Sequence, residues 1–276
     1  MSDSILERVL LSKEDQEKQE FDPVEVINQL LKTVSTKEAD VLRRRFGLHE
    51  EGQETLETIG VLYHVTRERI RQIENQAIHK MKGAALFSTI MRPVDHLIGS
   101  LLTHHGGLMV SDMLYEHLLS VHVESVLHQH CVDFIVNELL NDKVELIPKS
   151  KKYRPGWKLK LTSMEFVDAA SDLLQQLVHR AGKPQSFADL YTAMQQEQFY
   201  RENDQKLTED AILSYVHVST ALARNPFDEY GLSQWGRVVP KRMNDRVYLV
   251  LQKSGKPMHF EDIAKEISHV FKKKAY

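Results

Sequence analysis

The chain is poor in cysteine, in excess charge of either sign and in long apolar runs. One thiol, Cys131, stands among 276 residues. It cannot form an internal disulfide, which fits a reducing compartment. Lys and Arg number 36 against 39 Asp and Glu, for a net charge of −3. The whole molecule is therefore not a polycation, and any nucleic-acid site has to be a local basic patch. No segment approaches 18 consecutive apolar residues, so none is expected to span a membrane. Met1 to Glu20 alternates apolar and charged residues and has no apolar core of signal-peptide length. A cytoplasmic location follows as the expectation.

Catalytic signatures are also missing. There is no phosphate-binding Walker loop, dinucleotide fingerprint or nucleophile elbow. The carboxylate pairs Glu50-Glu51 and Glu209-Asp210 stand in a loop and at a helix start, where capping accounts for them. His128-Gln129-His130-Cys131 has a metal-like look, but its spacing is not a usual zinc pattern and no second cysteine cluster exists. Cys131 leads into Val132, Phe134 and Ile135 and reads as a buried thiol. The expectation is no enzyme, no metal, no cofactor and no small-molecule substrate.

What is present is helical punctuation. Ile5, Val9 and Leu10 share a face of a first helix. Asp22-Pro23 opens a second, with Val26, Ile27, Leu30 and Leu31 at helical spacing. Ser35-Thr36-Lys37-Glu38 is a capping signature for a helix that stops near Gly47. Thr55 caps a short helix to about Leu62, Tyr63-His64 makes a turn, and Thr66 caps a long helix to about Lys82. Arg92-Pro93 marks a boundary, because the residue before proline is pushed out of helical geometry.

Beyond Pro93 a weak repeat emerges, each copy an apolar helix, a glycine turn and an amphipathic helix. The aligned glycines, Gly106, Gly182 and Gly255, are 76 and 73 residues apart. After the first copy a helix from about Glu124 to Leu140 precedes two strand-like runs, Val144–Ile147 and Trp157–Leu161. That layout is a winged helix. The second copy ends alike, with a helix from Thr208 to Ala223 and then Tyr230 to Val239. The third stops at Tyr276, so a fragment or an incomplete last unit is expected.

The chemistry concentrates in residues 55–82. Leu56, Ile59, Val65, Ile70, Ile73, Ala77 and Ile78 fall on inward positions, and Gly60 sits where a close approach is needed. Arg67 to Lys82 carries five Lys or Arg against two Glu, a basic stretch within an acidic chain. The DNA major groove admits one helix, whose N-terminal residues face the base edges. Arg pairs bidentately with guanine, Gln with adenine, and Glu accepts from cytosine. Arg67, Glu68, Arg71 and Gln72 occupy the first turns and are the expected base readers. Thr55, Arg43 and Arg45 are placed to hold phosphates, with Thr66, Gln76 and Lys80 completing the expected surface.

Three runs carry a family resemblance: Glu38 to Leu48, Thr55 to Gly60, and Val65 to Glu74. Together, over roughly residues 36–83, they resemble the fourth conserved region of primary-type bacterial sigma factors. The resemblance implies that Arg67, Glu68, Arg71 and Gln72 read the upstream, minus-thirty-five promoter element. It also implies contact with the flap of the RNA polymerase beta subunit, and a nucleoid-associated location. The polymerase-clamping and DNA-melting regions of a sigma factor lie before this domain, and only about 35 residues precede it here. Gly255 to Ala264 resembles the HARE-type winged helix, which also occurs in chromatin and restriction proteins.

The expected architecture is mainly α: a sigma-like helix-turn-helix followed by tandem winged-helix-like units with small β-hairpin wings. The division reads 1–34 N-terminal helical segment, 35–91 helix-turn-helix domain, 92–162 and 163–240 winged-helix-like units, and 241–276 a partial HARE-type pair. A second phosphate-contacting set, Lys151, Lys152 and Arg154, is expected in the basic and aromatic run Lys149–Trp157; a solubilising turn is the alternative reading. Function stays open between a DNA-reading transcription regulator and a polymerase docking module that does not read DNA. Nuclease-associated DNA recognition is a third reading.

Overall fold

A computed structural model describes residues 18–120 and 125–271. The expected first helix with Ile5, Val9 and Leu10, and the run Lys272-Lys273-Lys274, lie outside these residues. The chain makes two compact units. One comprises residues up to 103, 111–146 and 157–160; the other comprises 104–110, 147–156 and residues from 161 on.

The start signals act where they were read. Asp22 accepts from the Val24 and Glu25 amides and opens α1, Pro23–Leu31, with proline at its first position. Ser35 and Glu38 close a reciprocal capping box on α2, Thr36–Phe46, which ends at Gly47 in the left-handed conformation (φ 65°). Thr55 caps α3, Leu56–Tyr63, and Thr66 caps α4, Arg67–Gly83. Each supplies an oxygen to an amide that the first turn leaves unpaired.

The inner faces of α2, α3 and α4 meet in one cluster. Val41, Ile59, Ile70 and Ile73 are buried, with Leu56, Tyr63 and Val65 packed against them. Gly60 is required by space. A Cβ there would sit 2.8 Å from the Val65 carbonyl oxygen, so the turn between α3 and α4 passes directly over it.

One boundary differs from expectation. Helix α5, Phe87–His104, runs straight through Pro93. A mid-helix proline costs about 3 kcal/mol through its missing N–H and its clash with the preceding turn. The same helix buries Met91, Val94, Leu97, Ile98 and Leu102 on one face. At roughly 1.5–3 kcal/mol per side chain, that burial outweighs the proline. The break between residues 91 and 92 therefore falls inside a helix.

The repeat appears as a repeated element order. The first copy is α5, β1 (Leu108–Val110), α6 (Ser111–Leu119), α7 (Val126–Phe134), β2 (Val144–Ile147) and β3 (Gly156–Leu159). A π-helical turn, Ile135–Leu139, extends α7. The second copy is α8 (Met164–Ala181), β4 (Gln185–Ser186), α9 (Phe187–Gln195), α10 (Gln198–Glu202), α11 (Glu209–Val218), β5 (Leu222–Arg224) and β6 (Glu229–Leu232). The second sheet has the strand order β4-β6-β5. Leu222 pairs with Leu232 and Gln185 with Tyr230, so β6 is the central antiparallel strand of the second sheet. Helices α12, Met243–Ser254, and α13, Phe260–Phe271, form the third pair. The aligned glycines all adopt left-handed backbone, with φ of 71°, 65° and 65° at Gly106, Gly182 and Gly255. A residue with a Cβ is strained there, which explains why glycine punctuates each copy.

Candidate nucleic-acid interface

The outer surface of α4 begins at its N-terminus. Thr66 accepts from the Arg69 amide at 3.2 Å, and Arg67, Glu68, Arg69, Arg71 and Gln72 are all exposed on the first two turns. The opposite face holds Ile70, Ile73, Ala77 and Met81 in the interior. The four expected base readers thus lie together on one end of one helix.

Three of the four side chains, those of Glu68, Arg71 and Gln72, are already paired. The Arg71 guanidinium donates to both oxygens of Glu68, at 2.9 and 2.7 Å. This fork pins the Arg71 guanidinium to Glu68, and Arg71 in turn lowers the Glu68 carboxyl below its ordinary pKa. Arg69 donates to Gln72 Oε1 at 3.1 Å. Arg69 was not among the residues expected from sequence, although its three-residue spacing from Gln72 is readable as a helical pair.

The expected phosphate-holding residues fare differently. Thr55 is exposed, with its hydroxyl 2.9 Å from that of Thr58. Gln76 is exposed on α4, and Arg43 is partly exposed near the end of α2. Arg45 lies 3.4 Å from Glu74, whose carboxyl burial raises above its ordinary value. Lys80 reaches back to Glu38 at 2.5 Å. Both cations therefore have structural partners before any phosphate arrives.

Glu38 is the hub of that second pairing. It accepts from Lys80, from the Ser35 hydroxyl at 2.7 Å and from the Ser35 amide at 3.0 Å. Those bonds, Lys80 first, hold its carboxyl at about 2 instead of 4.5. A depressed carboxyl pKa adds stability that is complete above the unfolded value and disappears as pH falls through the folded one. Thermal melts of the wild-type chain are expected to lose stability between pH 4.5 and 2 more steeply than those of Glu38→Gln. At neutral pH, Glu38→Ala should cost about 1–2 kcal/mol through the lost cap and the orphaned partners.

A further network fixes the loop before α3. Arg44 binds Asp40 and Glu54, each at 2.8 Å, and the Tyr63 hydroxyl donates to Asp40 at 2.6 Å. Burial and that bond push the Tyr63 hydroxyl up to about 12. Val61 and Leu62, by contrast, point outward from α3, at 71% and 50% exposure.

The second expected contact set is largely committed within its own unit. The Arg154 guanidinium is half-buried and donates to the carbonyls of His217, Ser219 and Leu222 at 2.6–2.7 Å. It cannot grip a phosphate without breaking these bonds. Lys152 is 2.7 Å from Asp168, and Lys151 is exposed. In the His128–Cys131 run, His130 Nδ1 lies 3.1 Å from the Gly47 carbonyl oxygen and His128 Nδ1 lies 2.6 Å from the Ser125 hydroxyl. Cys131 is buried, and burial pushes its thiol up to about 12. Among the described residues, no helix is long and apolar enough to cross a membrane.

Comparison with known proteins finds a local similarity over this surface. Residues 30–83 match the family model for Sigma-70, region 4. Over 58 residues the chain is 52% identical to RNA polymerase sigma factor SigA1 of Synechococcus elongatus. It is 50% identical to RNA polymerase sigma factor SigA of Microcystis aeruginosa over the same length. Each match takes in 21% of this chain and 14% of the relative. RNA polymerase sigma factor RpoD of Neisseria gonorrhoeae is 47% identical over 58 residues, 9% of its length. The chain thus spans about a seventh of the first two relatives.

Proposed function

We propose, from the similarity of residues 30–83 to Sigma-70, region 4, that this chain is a sequence-specific DNA-binding transcription regulator acting at promoters with RNA polymerase. The observation that carries the reading is the N-terminal end of α4. There Arg67, Glu68, Arg71 and Gln72 stand exposed on a helix whose other face is locked into the core. This is the element that enters a major groove, with side chains that match guanine, cytosine and adenine edges. Thr55, Thr66, Arg43 and Gln76 flank it as backbone contacts. Arg45 and Lys80 join them only by releasing Glu74 and Glu38. The positive end of the α4 dipole adds to phosphate attraction. The sigma-like domain is assigned to residues 35–91, and no catalytic role is assigned to any residue.

Selection of the full chain against a random duplex pool, repeated at several salt concentrations, tests this. One preferred motif is expected, with log affinity falling linearly in log salt at about 0.9 per phosphate neutralised. Absence of any preferred duplex at low salt would overturn the reading.

The exposed apolar pair Val61 and Leu62 favours a second reading, a module that docks on the polymerase without reading DNA. Removing Arg71 and Gln72 separates the two. A docking module keeps its polymerase binding and has no base preference to lose.

A further inference from the structure

In a DNA-binding winged helix, the third helix of the unit enters the groove, as the second helix of a helix-turn-helix does. Here α7, and α11 once the five-residue α10 is set aside, occupy that place in their units. Neither is built for it. The first reason is charge. Residues 125–142 and 208–223 contain no Lys or Arg, while Asp133, Glu138, Glu209 and Asp210 stand among them. A helix meeting two phosphate backbones without a cation gains none of the counterion-release term that dominates affinity.

The second reason is burial. Helix α7 packs on α1 and α2 within the first unit. Its Phe134 meets Phe46 edge-on at 4.7 Å, and His130 sits against the Gly47 carbonyl. The following turn reaches α4 as well, where Lys82 donates to Asn141 at 2.8 Å. In the second unit, six of the ten residues of α11 are buried. Its Tyr215 hydroxyl donates to the Gly106 carbonyl at 2.9 Å, and the Ser214 hydroxyl lies 3.1 Å from His105 Nδ1. The only fully exposed positions of α11 are Glu209 and Asp210.

We infer that both winged-helix units have given the helix before their hairpin to intramolecular packing, so that α4, and neither α7 nor α11, reads bases, and the first winged unit is its buttress. This rests on the proposed DNA-reading function and sharpens it: the target is one short site in one groove, not a composite of three.

Hydroxyl-radical footprinting of the full chain on its selected duplex tests the inference. Protection should be confined to about one helical turn, roughly 10 base pairs. The R67A/R71A/Q72A variant should lose base preference completely. Gln129→Ala on α7 and the pair Glu209→Ala, Asp210→Ala on α11 should leave the motif unchanged and shift affinity by no more than about twofold, the usual range for surface substitutions. Protection of separate grooves, a motif surviving R67A/R71A/Q72A, or motif positions lost with the α7 or α11 variants would overturn the inference and leave the DNA-reading function standing. A wild-type chain that selects no duplex removes both.

Discussion

Replacing Arg71 with alanine is expected to weaken binding to the selected duplex by about fivefold to 150-fold, the 1–3 kcal/mol that a bidentate base contact supplies. The loss should reach the upper end of that range. Alanine also frees the Glu68 carboxylate, which Arg71 holds with two bonds. An unpaired carboxylate beside DNA phosphates adds repulsion to a missing contact. The preference at one base should collapse while the others persist, as fluorescence anisotropy against duplexes differing at single positions can report. Arg71→Lys keeps the charge but not the planar fork, so it should restore overall affinity without restoring the base preference. A loss spread evenly over all sequences would instead mark Arg71 as a phosphate contact.

The largest stability effect is expected at Phe134. Its side chain is 1% exposed and meets Phe46 across the packing of α7 on α2. Phe134→Ala removes a fully buried ring and leaves a cavity, at a cost of about 3–5 kcal/mol. Because whole domains are stable by only about 5–15 kcal/mol, much of the first unit's margin goes with it. Phe134→Leu keeps most of the volume and should recover over half of the loss. Differential scanning calorimetry would resolve both. If Phe134→Ala melts like the wild type, the packing of α7 against the helix-turn-helix is not what the geometry indicates.

The parts of this fold that were legible in the sequence are those governed by neighbours within a few residues. Ser35 and Glu38 close their capping box locally, Gly47 ends its helix locally, and Thr66 caps its own first turn. The apolar spacing that placed Ile59, Ile70 and Ile73 inward is likewise a property of a single helix. The unread parts depend on partners far along the chain. Lys80 meets Glu38 from 42 residues away, and Arg154 finds the His217 carbonyl from 63. A basic residue among lysines carries no local sign that carbonyls from another strand and helix will surround it. Pro93 misled for a related reason. Its effect on Arg92 is local, whereas the five apolar side chains that hold α5 helical act through tertiary burial. Four exposed readers on α4 were accessible because a helix surface repeats every 3.6 residues. The pairing of Arg69 with Gln72 follows the same spacing and could have been read with them.

The corner between α3 and α4 has a mechanical meaning. Its left-handed residue is His64, at φ 54°, a conformation that glycine and asparagine adopt freely and β-branched residues do not. Helix α4 has 17 residues, a rigid arm of roughly 25 Å at 1.5 Å per residue. A ten-degree error at its pivot displaces the far tip by about 4 Å, comparable to the rise of one base pair, 3.4 Å. Sequence drift at position 64 is therefore tolerable among small or αL-tolerant residues. A valine or isoleucine there would strain the corner and tilt the arm, displacing its far tip most and the base-reading side chains beside the pivot least, though no DNA-facing residue had changed.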